Sequence, residues 1–143
     1  MRDQVVEGKI EQEVSADLRL WNARVRVDVI EGFVVLGGVT GLYIQKMIFD
    51  QIARETTGVV AVENEIRVLP VRPVTGGAIK RRTLEVLPVQ YIRAGVLASI
   101  AVQSGAVVIH APFGAFEDIQ NLRRRIAGIQ GVIEIHTLAE FLS

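Results

Sequence analysis

A chain of 143 residues with 50% apolar content can bury a packed core as one domain or as two small ones. It holds no cysteine, which excludes disulfides, thiolate metal sites and cysteine nucleophiles together. Sixteen Lys+Arg balance sixteen Asp+Glu, and aromatic residues are few and not interleaved with the basic runs, so no nucleic-acid partner is expected.

The spacing predicts a first helix over residues 3–18, with Val6, Ile10, Val14 and Leu18 in one stripe and Asp3 as its cap. Asn22 marks a turn into a strand at about 24–30, whose alternation (Val25, Val27, Val29) runs into Gly32. A second apolar run from Phe33 ends at Gly37-Gly38, so residues 24–39 read as a β-hairpin. A helix at about 41–56 follows, with Thr40 as N-cap and Ile44, Ile48 and Ile52 in line, and Gly58 stands where a left-handed C′ residue is wanted. Residues 59–68 form the third strand, with Val62, Ile66 and Val68 on one face and Glu63, Glu65 and Arg67 on the other.

Residues 70–77 hold two prolines and two glycines and read as a linker between domains at 1–69 and 78–143. Beyond it the pattern returns. Ile100, Val102 and Gly105 lead into an apolar run at 106–109, and a helix at about 115–127 carries Phe116, Ile119, Leu122 and Ile126. Gly131 then opens a strand as Gly58 does. Gly32 to Gly105 and Gly58 to Gly131 are both shifts of 73, the mark of an internal duplication. The second copy is the poorer one: Ala111-Pro112 replaces Gly38-Val39, and its first helix, at 78–87, competes with a strand at 84–86.

Taken together, V-x-V-x-x-x-G-x-V-x-L-x-G-V from Val27 and G-V-x-x-V-x-N-x-I-x-V from Gly58 make residues 3–68 resemble the BON (bacterial OsmY and nodulation) domain. The matching positions are Val27, Val29, Gly32, Val34, Leu36, Gly38, Gly58, Val59, Val62, Asn64, Ile66 and Val68. Residues 78–143 look like a divergent copy, with Ala111 for the glycine and Thr137 for the asparagine. The resemblance implies an α+β protein of tandem αββαβ units, each with two helices on a small mixed three-stranded sheet. It further implies a non-catalytic binding module without cofactor, of a kind proposed to contact phospholipid membranes; some members bind small ligands or cations instead. Gly32, Gly38, Gly58, Gly105 and Gly131 are then turn positions that specify the fold.

Charge is uneven. Residues 1–70 carry 8 basic against 11 acidic residues, net −3, and residues 71–143 carry 8 against 5, net +3. The two basic runs, Lys80-Arg81-Arg82 and Arg123-Arg124-Arg125, both lie in the second copy, where they would attract anionic headgroups or simply be solvated helix faces. On the second strand Val34 and Leu36 point to the helices, so Phe33 and Val35 point away from them, as does Val108 in the second copy. These residues suggest an interface between the two copies or in a homo-oligomer. Trp21 belongs either to such a surface or to the core.

Gly37 to Gly41 precedes a helix, a place for an anion, but it lacks dinucleotide or Walker spacing, as does Gly76-Gly77 before Lys80. His110 and His136, with Glu134 beside the latter, make a weak metal candidate, and no acid–base or nucleophile–base spacing is present. The N-terminus has no signal-type apolar stretch, and no apolar run nears the roughly 18 residues of a membrane span. The expected location is cytoplasmic as written, or periplasmic or membrane-peripheral if a leader precedes the chain.

Overall fold

Alternation in strands and fourfold recurrence in helices give the elements apolar faces, and these faces are buried within each unit. The computed structural model describes residues 2–72, 74–86, 99–111 and 116–139, with all side chains except those at 99–100, 110–111, 116–119 and 138–139. The chain divides into two units, Met1–Leu69 and Pro70–Ser143.

The first unit runs α1 (Asp3–Ala16), β1 (Arg24–Ile30), β2 (Phe33–Thr40), α2 (Tyr43–Glu55) and β3 (Ala61–Val68). Its sheet has the order β1-β2-β3. The β1–β2 pair is antiparallel, from Arg24↔Val39 to Ile30↔Phe33. The β2–β3 pair is parallel, from Phe33↔Ala61 to Thr40↔Val68, because α2 carries the chain back to the starting edge. Val6 and Ile10 of α1, Val27, Val34, Leu36 and Ile66 of the sheet, and Ile48, Phe49 and Ala53 of α2 form the core. Each large side chain among them contributes roughly 1.5–3 kcal/mol by leaving water.

Several elements depart from the sequence expectation. Helix α1 ends at Ala16, because the Asp17 carboxylate accepts the Arg19 amide at 3.0 Å and starts a tight turn over Leu18–Leu20. That turn swings Leu20 into the core and leaves Leu18, expected on the stripe, 87% exposed. Asp3 does not cap α1, whose N-cap is Arg2; its carboxylate instead accepts the amides of Glu31 and Gly32 at 2.8 and 3.1 Å. Thr40 is the last residue of β2 rather than the N-cap of α2, which is Leu42. The buried stripe of α2 is centred on Gln45, Ile48, Phe49 and Ala53, with Ile44 and Ile52 at its margin. Gly58 has a left-handed φ of 98° but lies two residues past the C-cap Thr56, one further than a C′ residue.

The second unit runs α3 (Gly76–Val86), β4 (Ser99–Gln103), β5 (Ala106–Ala111), α4 (Phe116–Ala127) and β6 (Glu134–Ala139), with sheet order β4-β5-β6. The β4–β5 pair is antiparallel and β5–β6 parallel. The starts of α1, β2, α2 and β3 each recur 73 residues later. The two-residue turns repeat as well: Glu31 and Gly32 have φ of 51° and 82°, Ser104 and Gly105 of 49° and 85°. Both central φ values are positive, as in type I′ turns, whose twist suits a hairpin. The Gly32 carbonyl accepts from Val60 N at 2.8 Å, and Gly105 from Ile133 N at 2.9 Å.

Helix α3 replaces the strand considered at 84–86 and begins inside the segment read as linker. Thr83 is fully buried, its hydroxyl satisfied by donating to the Ile79 carbonyl at 2.7 Å. Leu122 and Ile126 are buried as the α4 stripe requires, while the side chains of Phe116, Glu117, Asp118 and Ile119, and residues Pro73, Leu87, Pro88 and Pro112, lie outside the described set.

Candidate functional site

The basic runs are carried by α3 and α4, which pack against each other in the second unit. Three consecutive helical residues spread over most of the helix circumference, so neither run presents a single face. On α3, Ile79 and Thr83 take the buried side, and Lys80, Arg81 and Arg82 are all exposed. On α4, Leu122, Ile126 and Ala127 are buried, Arg124 and Arg125 are exposed, and Arg123 is half-buried. The Nε of Arg123 is shut from solvent and has no hydrogen-bond partner, so this residue is set apart from its neighbours. Arg19–Asp17, Arg54–Asp50 and His136–Glu134 form ion pairs, and among the described residues none engages the five exposed cations. The Arg19 guanidinium, hydrogen-bonded to the Asp17 carboxylate, holds that carboxyl below the usual carboxylate range.

The outward sheet face of the first unit is divided along the strands. Register places Ile30, Phe33 and Ala61 side by side at the hairpin end, then Asp28, Val35 and Glu63, then Arg26, Gly37 and Glu65. Ile30 is 70% and Phe33 53% exposed, with exposed Val60 near the same turn. Val35 is half-buried between two acidic neighbours; Val108 is half-buried between Ala101 and His136. Ile30 continues the outward alternation of Arg24, Arg26 and Asp28 along β1, a signal present in the sequence. Trp21 is 75% exposed and so is not a core residue.

Gly37 to Gly41 does not present free amides. The Gln45 Oε1 accepts from Gly41 N and Leu42 N, both at 3.1 Å, and its Nε2 donates to the Arg19 carbonyl at 3.0 Å. An internal side chain thus occupies the place considered for an anion. Gly38, at φ 125°, is a glycine because a Cβ there would collide with the Arg24 carbonyl oxygen and stand 2.9 Å from Val25 Cα. Gly58 and Gly131 share φ values of 98° and 99°.

The His136 Nε2 lies 3.4 Å from Glu134 Oε2, both exposed, and the His110 side chain lies outside the described set. Among the described residues no three metal-ligating side chains come together. An open cleft of about 360 Å³ between α1 and α2, lined by Lys9, Glu13, Ile52 and Glu55 among others, has no counterpart in the sequence reading, because its walls come from two helices far apart in the chain. No helix among the described residues is long and apolar enough to cross a membrane.

The BON domain family model matches residues 2–70. No curated protein matches the sequence. Among solved structures, the C-terminal domain of CdsD, the structural protein of the type III secretion system of Chlamydia trachomatis, is similar at a TM-score of 0.40 and 8% identity, over 100% of each chain. A likeness at that level transfers no function.

Proposed function

Residues 2–70 belong to the BON domain family, and from that premise we propose that the protein is a non-catalytic binding module which associates with anionic phospholipid, or an envelope component of like charge, through the helix layer of its second unit. The observation that carries this reading is the set of five exposed cations on α3 and α4, none in an ion pair among the described residues. Each contributes about 1 kcal/mol near an anionic membrane. Those that face one membrane plane at the same time support a reversible attachment that salt weakens by screening. The repeat at an offset of 73 supports treating this unit as a divergent copy of the first, specialised by charge.

The test is sedimentation with phosphatidylglycerol vesicles at low and high salt. Binding that falls as salt rises, and that disappears on replacing Arg81, Arg124 and Arg125 by Glu, is the expected result. Arg123 stays intact in that variant because its Nε is buried. Indifference to the vesicles at low salt rejects the lipid reading.

A second reading, self-assembly through the outward sheet face, is favoured by the exposed Ile30–Phe33 pair. Light scattering across a range of concentration tests it. A discrete oligomer that Phe33→Glu reduces to 15.7 kDa monomers supports it, and a monomer throughout rejects it.

A further inference from the structure

The two hairpin turns share one backbone geometry but differ in what meets their amides. In the first unit the Asp3 carboxylate accepts from Glu31 N at 2.8 Å and from Gly32 N at 3.1 Å. Successive amides in such a turn form a small anion-binding concavity, and the chain itself shows that a carboxylate fits this one. At the offset of 73, Asp3 becomes Gly76, so α3 starts with no side chain at the position that supplies the carboxylate. A Cβ on Gly76 would stand 3.8 Å from Val102 Cγ1 and 3.9 Å from the Val102 carbonyl oxygen, which puts this residue beside the end of β4 and its turn. No side chain among the described residues accepts from Ser104 N or Gly105 N.

Two further exchanges move the same place toward anions. Glu31, in the first turn, becomes Ser104, which removes a negative charge and adds a hydroxyl donor. Glu7, one helical turn beyond Asp3, becomes Lys80, which is exposed and lies four residues after Gly76 on the same side of α3. Three acidic residues around the first turn thus correspond to a glycine, a hydroxyl and an ammonium around the second. We propose that the Ser104–Gly105 turn, with Gly76 and Lys80, is a binding site for a carboxylate supplied from outside the unit, in the position that Asp3 fills internally in the first unit.

The experiment is a titration of the isotopically labelled full chain with acetate at constant ionic strength, following backbone amide resonances. The expected result is a saturable shift at Ser104 and Gly105, none at Glu31 and Gly32, and none with acetamide, which has the same shape without the charge. Gly76→Asp should abolish the response by supplying the carboxylate internally, and Lys80→Glu should weaken it several-fold. Asp3→Gly should make Glu31 and Gly32 responsive. A peptide ending in aspartate that binds more tightly than acetate identifies a protein carboxylate as the ligand, and equal binding identifies a small acid. Absence of a saturable shift at Ser104 and Gly105, or a shift that persists unchanged in Gly76→Asp, overturns the proposal.

Discussion

Replacing Gln45 by methionine removes all three hydrogen bonds that this buried side chain makes while nearly keeping its volume. The groups left behind are Gly41 N, Leu42 N and the Arg19 carbonyl, each about 3 Å from the amide in the native protein. At about 1 kcal/mol net for each, the first unit should lose about 3 kcal/mol, or somewhat less where water reaches the partly buried amides. Gln45→Glu keeps the acceptor for both amides and loses the donor to Arg19, so it should cost less than the methionine variant. Urea unfolding followed by far-ultraviolet circular dichroism is the assay, with a lowered midpoint and an unchanged denaturant slope expected. Faster exchange of the Gly41 and Leu42 amides should accompany it. A loss below about 1 kcal/mol in Gln45→Met, or a glutamate variant worse than methionine, would refute the idea that Gln45 ties the turn before β1 to the start of α2.

Other substitutions probe the repeat. Gly38→Ala should cost about 3 kcal/mol or more, through left-handed backbone strain and collision with β1, measured in the same urea assay. Asn64 donates to the Lys46 carbonyl and accepts from Ile66 N, both at 3.1 Å, so Asn64→Thr should cost about 1–3 kcal/mol. The corresponding Thr137 hydroxyl is buried without a partner, so Thr137→Asn should raise the thermal midpoint of the second unit. Asp17 should titrate below a free aspartate by NMR, and Arg19→Met should return it to the ordinary range. Because the folded state lowers that pKa, the pair's contribution is complete at neutral pH and is lost as pH falls through the lowered value.

The cation runs and the apolar alternation were legible because both are local: charge is composition, and a strand face is a period of two. Arg123 was not separable from Arg124 and Arg125, since its partial burial depends on how α4 packs in the second unit and not on any local pattern. Leu18 misled for the opposite reason. Its spacing fits the α1 stripe, but the Asp17–Arg19 hydrogen bonds end the helix first and replace it by Leu20.

By itself the sequence determined the order of elements in the first unit, the hairpins, the inward residues Val27, Val34, Leu36 and Ile66, and the shift of 73, all of which follow from short-range periodicity and from glycines at positive φ. Only the tertiary structure decided what Asp3, Gln45 and Asn64 do. A polar side chain serves whichever unpaired backbone group folding brings within about 3 Å, and for the Asp3 carboxylate and the Gln45 Nε2 that group lies more than 25 residues away along the chain.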